Sequence, residues 1–226
     1  MLRLEGRGPD HLIFLPGFMT SAQAYREFLA PIAIDGVTVT VAQLYPRGIA
    51  TLRGHHGVRA EAVAATELIL REARSTPGRV FLGGHSRGGL AAWLAAGRLR
   101  GRLAGLCLVD PVDAGSRTGG PPHVRQVAGF DFPALILAAG VPGPCAPPGR
   151  RHERFARATP GAAHVILNDL GHADILNGWE RTFGRTVCRS GIDPDRARGV
   201  CSALVGRFLG GFVPDVGAHE DFDRVR

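Results

Sequence analysis

A serine with glycines two residues before and two residues after it, Gly84-His85-Ser86-Arg87-Gly88, is the stretch of this chain best suited to chemistry. The apolar run at residues 80–82 leads into it, and a helix-forming segment at residues 90–99 follows. A serine placed between a strand and a helix sits on a sharp turn. That turn projects its hydroxyl from the sheet edge, toward a histidine brought by another loop. The flanking glycines keep Cβ atoms out of the crowded backbone. The helix start behind Ser86 also aims backbone N–H groups at a developing anion. The chemistry this implies is acyl transfer through a covalent serine intermediate. The competing reading is a glycine-rich turn with an idle serine, and the strand and helix on either side favour the nucleophile.

A serine nucleophile needs a base, and the base needs an orienting acid. Residues 164–167 read as a late strand that runs into Gly171-His172-Ala173-Asp174, which makes His172 the candidate base. Three carboxylates could orient it. Residues 103–109 read as a core strand ending at Asp110-Pro111-Val112-Asp113, and open α/β sheets place their chemistry at such strand ends. The following strand, residues 134–138, leads into residues 140–145, which contain no acid. The acid is therefore expected one strand earlier. Asp110, directly past the strand, is preferred, with Asp113 in reserve. Asp169 is so close in sequence to His172 that it could equally cap a turn. Near the start, the apolar segment His11 to Leu15 ends at Pro16-Gly17. By position the next residue, Phe18, offers one oxyanion amide, and Arg87 offers the second.

The elements that must position these groups alternate. Strands are predicted at residues 11–15, 37–44, 80–82, 103–109, 134–138 and 164–167, with helices at 22–33, 58–73, 90–99, 153–157 and 197–212. Such alternation calls for a mostly parallel central sheet with helices on both faces, in one domain spanning residues 1–226. The chain order serine, acid, histidine is that of the α/β-hydrolase fold, which this pattern resembles. The loop at residues 45–57 holds His55 and His56, read as solvated. Residues 213–226 are polar and expected to fray.

Composition narrows the function. All 27 basic residues are arginine, and the formal net charge is +7. The arginines are scattered without a basic run, so nucleic acid is not an expected partner. Anionic lipid could meet this basic surface, although no amphipathic anchor stands out. No apolar run is long enough to span a membrane, and the N-terminus lacks a signal pattern, so a cytoplasmic protein is expected. Cys107, Cys145, Cys188 and Cys201 show no Cys-x-x-Cys spacing, and no metal or other cofactor is expected. Cys107 reads as core. Cys188 and Cys201 are close enough in sequence to bridge a loop, a pairing a cytoplasmic setting disfavours. A monomer or small homo-oligomer is expected.

Several segments together resemble chlorophyllase, the α/β hydrolase that cleaves the phytyl ester of chlorophyll. They are Phe14-Leu15-Pro16-Gly17-Phe18, Val41-Ala42-Gln43-Leu44-Tyr45, Gly84-His85-Ser86-Arg87-Gly88-Gly89 and Val109-Asp110-Pro111-Val112-Asp113. Cys145-Ala146-Pro147 with His152-Glu153, and Gly171-His172-Ala173-Asp174-Ile175-Leu176, complete the set. They fall in order over almost the whole chain. The resemblance implies Ser86, Asp110 and His172 as the triad and a bulky hydrophobic ester, such as a chlorophyll-like pigment, as substrate. Pro16 departs from the family, which usually has histidine there. The plastid-targeting extension of the plant enzymes is not seen, the pattern of a bacterial relative. A general carboxylesterase or polyester-hydrolase-like enzyme would share the triad with a different pocket. A pigment- or lipid-binding protein without activity would need a broken one.

Overall fold

The structure, a computed structural model, describes residues 1–44, 57–113, 123–127 and 129–213. His55, His56 and nearly all of the expected C-terminal tail lie outside the described residues. The strands are β1 (Leu2–Leu4), β2 (His11–Leu15), β3 (Thr38–Val41), β4 (Val80–His85), β5 (Gly105–Val109), β6 (Ala134–Ala139) and β7 (Ala163–Leu167). The helices are α1 (Arg26–Ile34), α2 (Val58–Ser75), α3 (Ser86–Ala96), α4 (His152–Ala158), α5 (Gly178–Cys188) and α6 (Pro194–Leu209). A single turn of 3-10 helix, Ala22–Tyr25, leads into α1.

The seven strands form one sheet in the order β1-β3-β2-β4-β5-β6-β7. Only β1 runs antiparallel to its neighbour, β3; every other pairing is parallel. Parallel strands are buried on both faces, and β2 shows how. Leu12 and Phe14 join the apolar layer that includes Tyr25, Phe28 and Leu29 with Leu204, Val205 and Phe208. Ile13 and Leu15 point the other way, into the layer of Ala65, Ile69, Leu90 and Trp93. Alternation along one strand thus serves two cores, with α1 and α6 on one side and α2, α3 and α4 on the other. This is the α/β-hydrolase architecture that the alternation of elements predicts.

Two elements escape the sequence reading. The edge strand β1 is too short to carry a period. Helix α5 mixes polar and apolar residues, and its signal was the spacing of Trp179, Phe183 and Val187, one position per turn on a common stripe. All three are exposed. The amphipathic helix that the sequence did not reveal is therefore present. Among the described residues no helix is long and apolar enough to cross a membrane.

Candidate active site

Helix α3 begins at Ser86, directly where β4 ends. The serine holds φ at 54°, in the left-handed region that non-glycine residues rarely occupy. A Cβ at Gly84 would lie 2.5 Å from the Gly88 carbonyl oxygen, and one at Gly88 would run into the Leu15 and Pro16 carbonyls. The two glycines are there because backbone crosses backbone at this turn. Ser86 is buried by its neighbours, yet its Oγ reaches a second loop. His172 Nε2 lies 3.0 Å from it.

Asp110 leaves β5 in a similarly strained conformation, with φ at 39°. Its backbone N–H donates to the Leu137 carbonyl at 2.7 Å, and its Oδ1 accepts from the Ala139 N–H at 3.2 Å. Its Oδ2 meets His172 Nδ1 at 2.5 Å. Burial opposes ionisation of this carboxyl. The hydrogen bond and charge of His172 outweigh it, so the group stays below its usual range. Ser86, His172 and Asp110 thus lie in one hydrogen-bonded line at the C-terminal ends of β4, β7 and β5.

The other two candidate acids are occupied elsewhere. Asp113 is completely buried, accepts from the Val124 N–H, and faces Arg154 and His123 at 3.6 Å and 3.5 Å. Asp169 accepts from the Ile192 and Asp193 amides, which secures the entry to α6. Asp174, which spacing did not single out, is fully buried and accepts from the N–H groups of Gly171 and Gly191 and from the Ser190 hydroxyl. It braces the loop that carries His172.

Phe18 follows β2 and Arg87 is the second residue of α3, so both candidate oxyanion amides flank the serine by position. The Arg87 side chain turns back to α2, where its guanidinium pairs with Glu61. Burial pushes the Glu61 carboxyl up to about 7 despite the neighbouring guanidinium. Neither Glu61 nor its pairing announced itself in the sequence, because the contact joins two helices across the chain.

A cavity of about 440 Å³ opens beside Ser86 and His172. Its lining includes Phe18 and Met19, after β2, and Leu176, Trp179, Phe183 and Val187, just before and along α5. The lining is overwhelmingly apolar, with Glu180 an acid at its edge that accepts from the Ser21 hydroxyl at 2.6 Å. No cluster among the described residues is arranged to hold a metal.

The cysteines depart from expectation. Cys188 bonds to Cys145, 43 residues away, with a Cα–Cα distance of 5.2 Å, and not to Cys201. Cys201 is sealed in the core on the inner side of α6, while Cys188 ends α5 beside the segment that follows β6. There Gly143 packs against the Cys188 carbonyl so closely that no Cβ would fit. Only tertiary packing could bring residue 145 to residue 188. Disulfides belong to oxidising settings, so the argument that set pairing aside does not hold for these two residues. Cys107 and Cys201 are free and buried, and burial pushes the Cys107 thiol up to about 12.

Comparison with known proteins bears on the family and the fold. The family model for chlorophyllase matches residues 5–225. Chlorophyllase-2 of Arabidopsis thaliana is 26% identical over 231 aligned residues, covering 89% of this chain and 73% of the relative. Among solved structures, a ferulic acid esterase from Streptomyces cinnamoneus superposes with a TM-score of 0.64 at 17% identity, covering 95% of this chain and 72% of that one. The RedJ thioesterase of Streptomyces coelicolor gives a TM-score of 0.56 at 20% identity, covering 88% of this chain and 90% of its own. These structures share the fold. The family match extends over nearly the whole sequence, and the chain belongs to the chlorophyllase family and is a carboxylic ester hydrolase of the α/β-hydrolase fold.

Proposed function

We propose that this protein hydrolyses a bulky hydrophobic ester through an acyl-enzyme on Ser86, most concretely the phytyl ester of a chlorophyll-like pigment, releasing phytol and a chlorophyllide. The reading rests on one juxtaposition: the Ser86–His172–Asp110 line opens into an apolar cavity walled by Trp179, Phe183 and Val187.

His172 Nε2 accepts the Ser86 proton as Oγ attacks the ester carbonyl carbon. The Asp110 carboxylate accepts from Nδ1–H, which fixes the tautomer and stabilises the imidazolium as it forms. The Phe18 and Arg87 amides hold the oxyanion of the tetrahedral intermediate. Collapse breaks the bond to the alcohol oxygen, and His172 returns its proton to the leaving alcohol. Water then attacks the acyl-enzyme by the same route, His172 again serving as base and then acid, and the free acid departs. No cofactor enters these steps. The apolar walls desolvate an isoprenoid chain, and Ser86 and His172 line the same cavity.

The test is incubation of purified protein, beside Ser86→Ala, with chlorophyll a and with a short p-nitrophenyl ester. Chlorophyllide from wild type alone is the expected result. Turnover of the short ester only would refute the pigment assignment and leave a general carboxylesterase. Inertness on both, without labelling by a fluorophosphonate, would refute the nucleophile and leave a binding protein.

A further inference from the structure

His85, the residue before the nucleophile, is buried to 2% exposure and contacts both loops that serve the serine. Its Nε2 lies 2.9 Å from the His172 carbonyl oxygen. Its Nδ1 lies 2.8 Å from the Tyr25 hydroxyl, and that oxygen accepts from the Gly17 N–H at 2.7 Å. The His85 and His172 rings pack with centroids 4.7 Å apart.

Elementary hydrogen-bond logic orients every proton in this series. A carbonyl oxygen only accepts, so His85 Nε2 carries the hydrogen and Nδ1 presents a lone pair. Tyr25 therefore donates to Nδ1, and its oxygen is left to accept from Gly17. We propose that His85 is a positioning residue that ties the oxyanion loop to the histidine loop, through a one-way chain from Gly17 N–H to Tyr25, from Tyr25 O–H to His85, and from His85 Nε2–H to the His172 backbone. The inference rests on the reading of Ser86 as nucleophile and His172 as base.

Three further features support it. Gly17 precedes Phe18, the candidate oxyanion donor, and a Cβ at Gly17 would lie 2.9 Å from His85 Nδ1 and 3.2 Å from the Tyr25 oxygen. The glycine thus makes room for the chain. Thr20 folds the same loop back, its hydroxyl donating to the Gly17 carbonyl at 2.8 Å. Burial, and then the charge of the adjacent His172, push the His85 imidazole down to about 3. It remains neutral while His172 cycles through its charged form, so it steers the base without competing for the proton. An apolar ring filling the same space would take the His85 donor from the His172 carbonyl in a dry site and leave the Tyr25 hydroxyl to Thr20 Oγ1, 3.0 Å away.

Tyr25→Phe and His85→Phe preserve most of the ring volume and delete the bonds. Each is expected to lower kcat on a p-nitrophenyl ester about tenfold with KM within about twofold, since misplacing reacting groups costs turnover more than binding. The double variant is expected to fall no further than the worse single one, because either change breaks the same chain. His85→Gln, which restores an N–H donor near the His172 carbonyl, is expected to recover much of the loss. Wild-type kcat in Tyr25→Phe and His85→Phe, with only the melting temperature lowered, would overturn the inference; so would additive losses. Should His85→Phe fail to fold, the gentler Tyr25→Phe decides. A fluorophosphonate that labels wild type but not Ser86→Ala checks the underlying nucleophile separately. Absence of wild-type labelling overturns both readings, whereas labelling with unchanged kcat in the variants overturns this one alone.

Discussion

Replacing both Cys145 and Cys188 with serine removes a cross-link whose worth follows from chain statistics. The bond closes a loop of 43 residues. Denying that closure to the unfolded chain removes about 13 cal/mol/K of its entropy, which is about 4 kcal/mol at 25 °C. For a chain of 226 residues the unfolding entropy is about 0.5 kcal/mol/K, so the melting temperature should fall by about 8 °C. Calorimetry of the double variant, and of wild type with and without dithiothreitol, measures this directly. Reduction should reproduce the variant's shift and leave the variant itself unchanged. The bond also ends α5, the helix that carries Trp179, Phe183 and Val187 along the cavity. Loosening that wall should raise KM for a long-chain ester several-fold more than it lowers kcat, because Ser86, Asp110 and His172 follow the C-terminal ends of β4, β5 and β7 and not α5. A shift below about 2 °C in both experiments would refute the loop-entropy reasoning. An unchanged KM would separate the disulfide from substrate binding.

Other expectations follow from single groups. Asp110→Asn should lower kcat by about 10⁴-fold by upsetting the His172 tautomer, measured as ester hydrolysis at neutral pH. The depressed Asp110 carboxyl stabilises the fold above its unfolded-state value of 3.8 and loses that contribution as pH falls through its lower folded value. Wild type and Asp110→Asn should therefore converge in acid melts. Glu61 has the opposite sign. Its folded value of about 7 exceeds the 4.5 of the free group, so the folded state binds the extra proton and stability from this group declines as pH rises from 4.5 to about 7. Glu61→Gln should abolish that slope, read as melting temperature against pH. Trp179→Ala with Phe183→Ala should raise KM for a long isoprenoid ester by about tenfold, from about 1–2 kcal/mol of apolar contact, while a short acetate ester is unaffected.

Much of the site was legible because local chemistry dictates it. Gly84, Ser86 and Gly88 mark a crossing that only small residues permit, and the absence of an acid in residues 140–145 pointed back to the strand ending at Asp110. Strand alternation gave the sheet away because parallel strands buried on both faces need continuous apolar runs. Helix α5 stayed hidden because its apolar stripe faces a cavity and solvent instead of a core, which leaves its mean composition polar.

Sequence by itself determined the glycine-flanked turn at Ser86 and the layered sheet, since each depends on residues a few positions apart. It also supplied the chain order of the candidate serine, acid and histidine. Tertiary structure alone decided the rest. Position past the strand favoured Asp110 over Asp113, but the contact of its Oδ2 with His172 is set by the fold. Cys145 with Cys188, Arg87 with Glu61, and Tyr25 with His85 are pairings across 43, 26 and 60 residues. Their distances are set by how helices and loops pack on the sheet, and no local period or propensity encodes that packing.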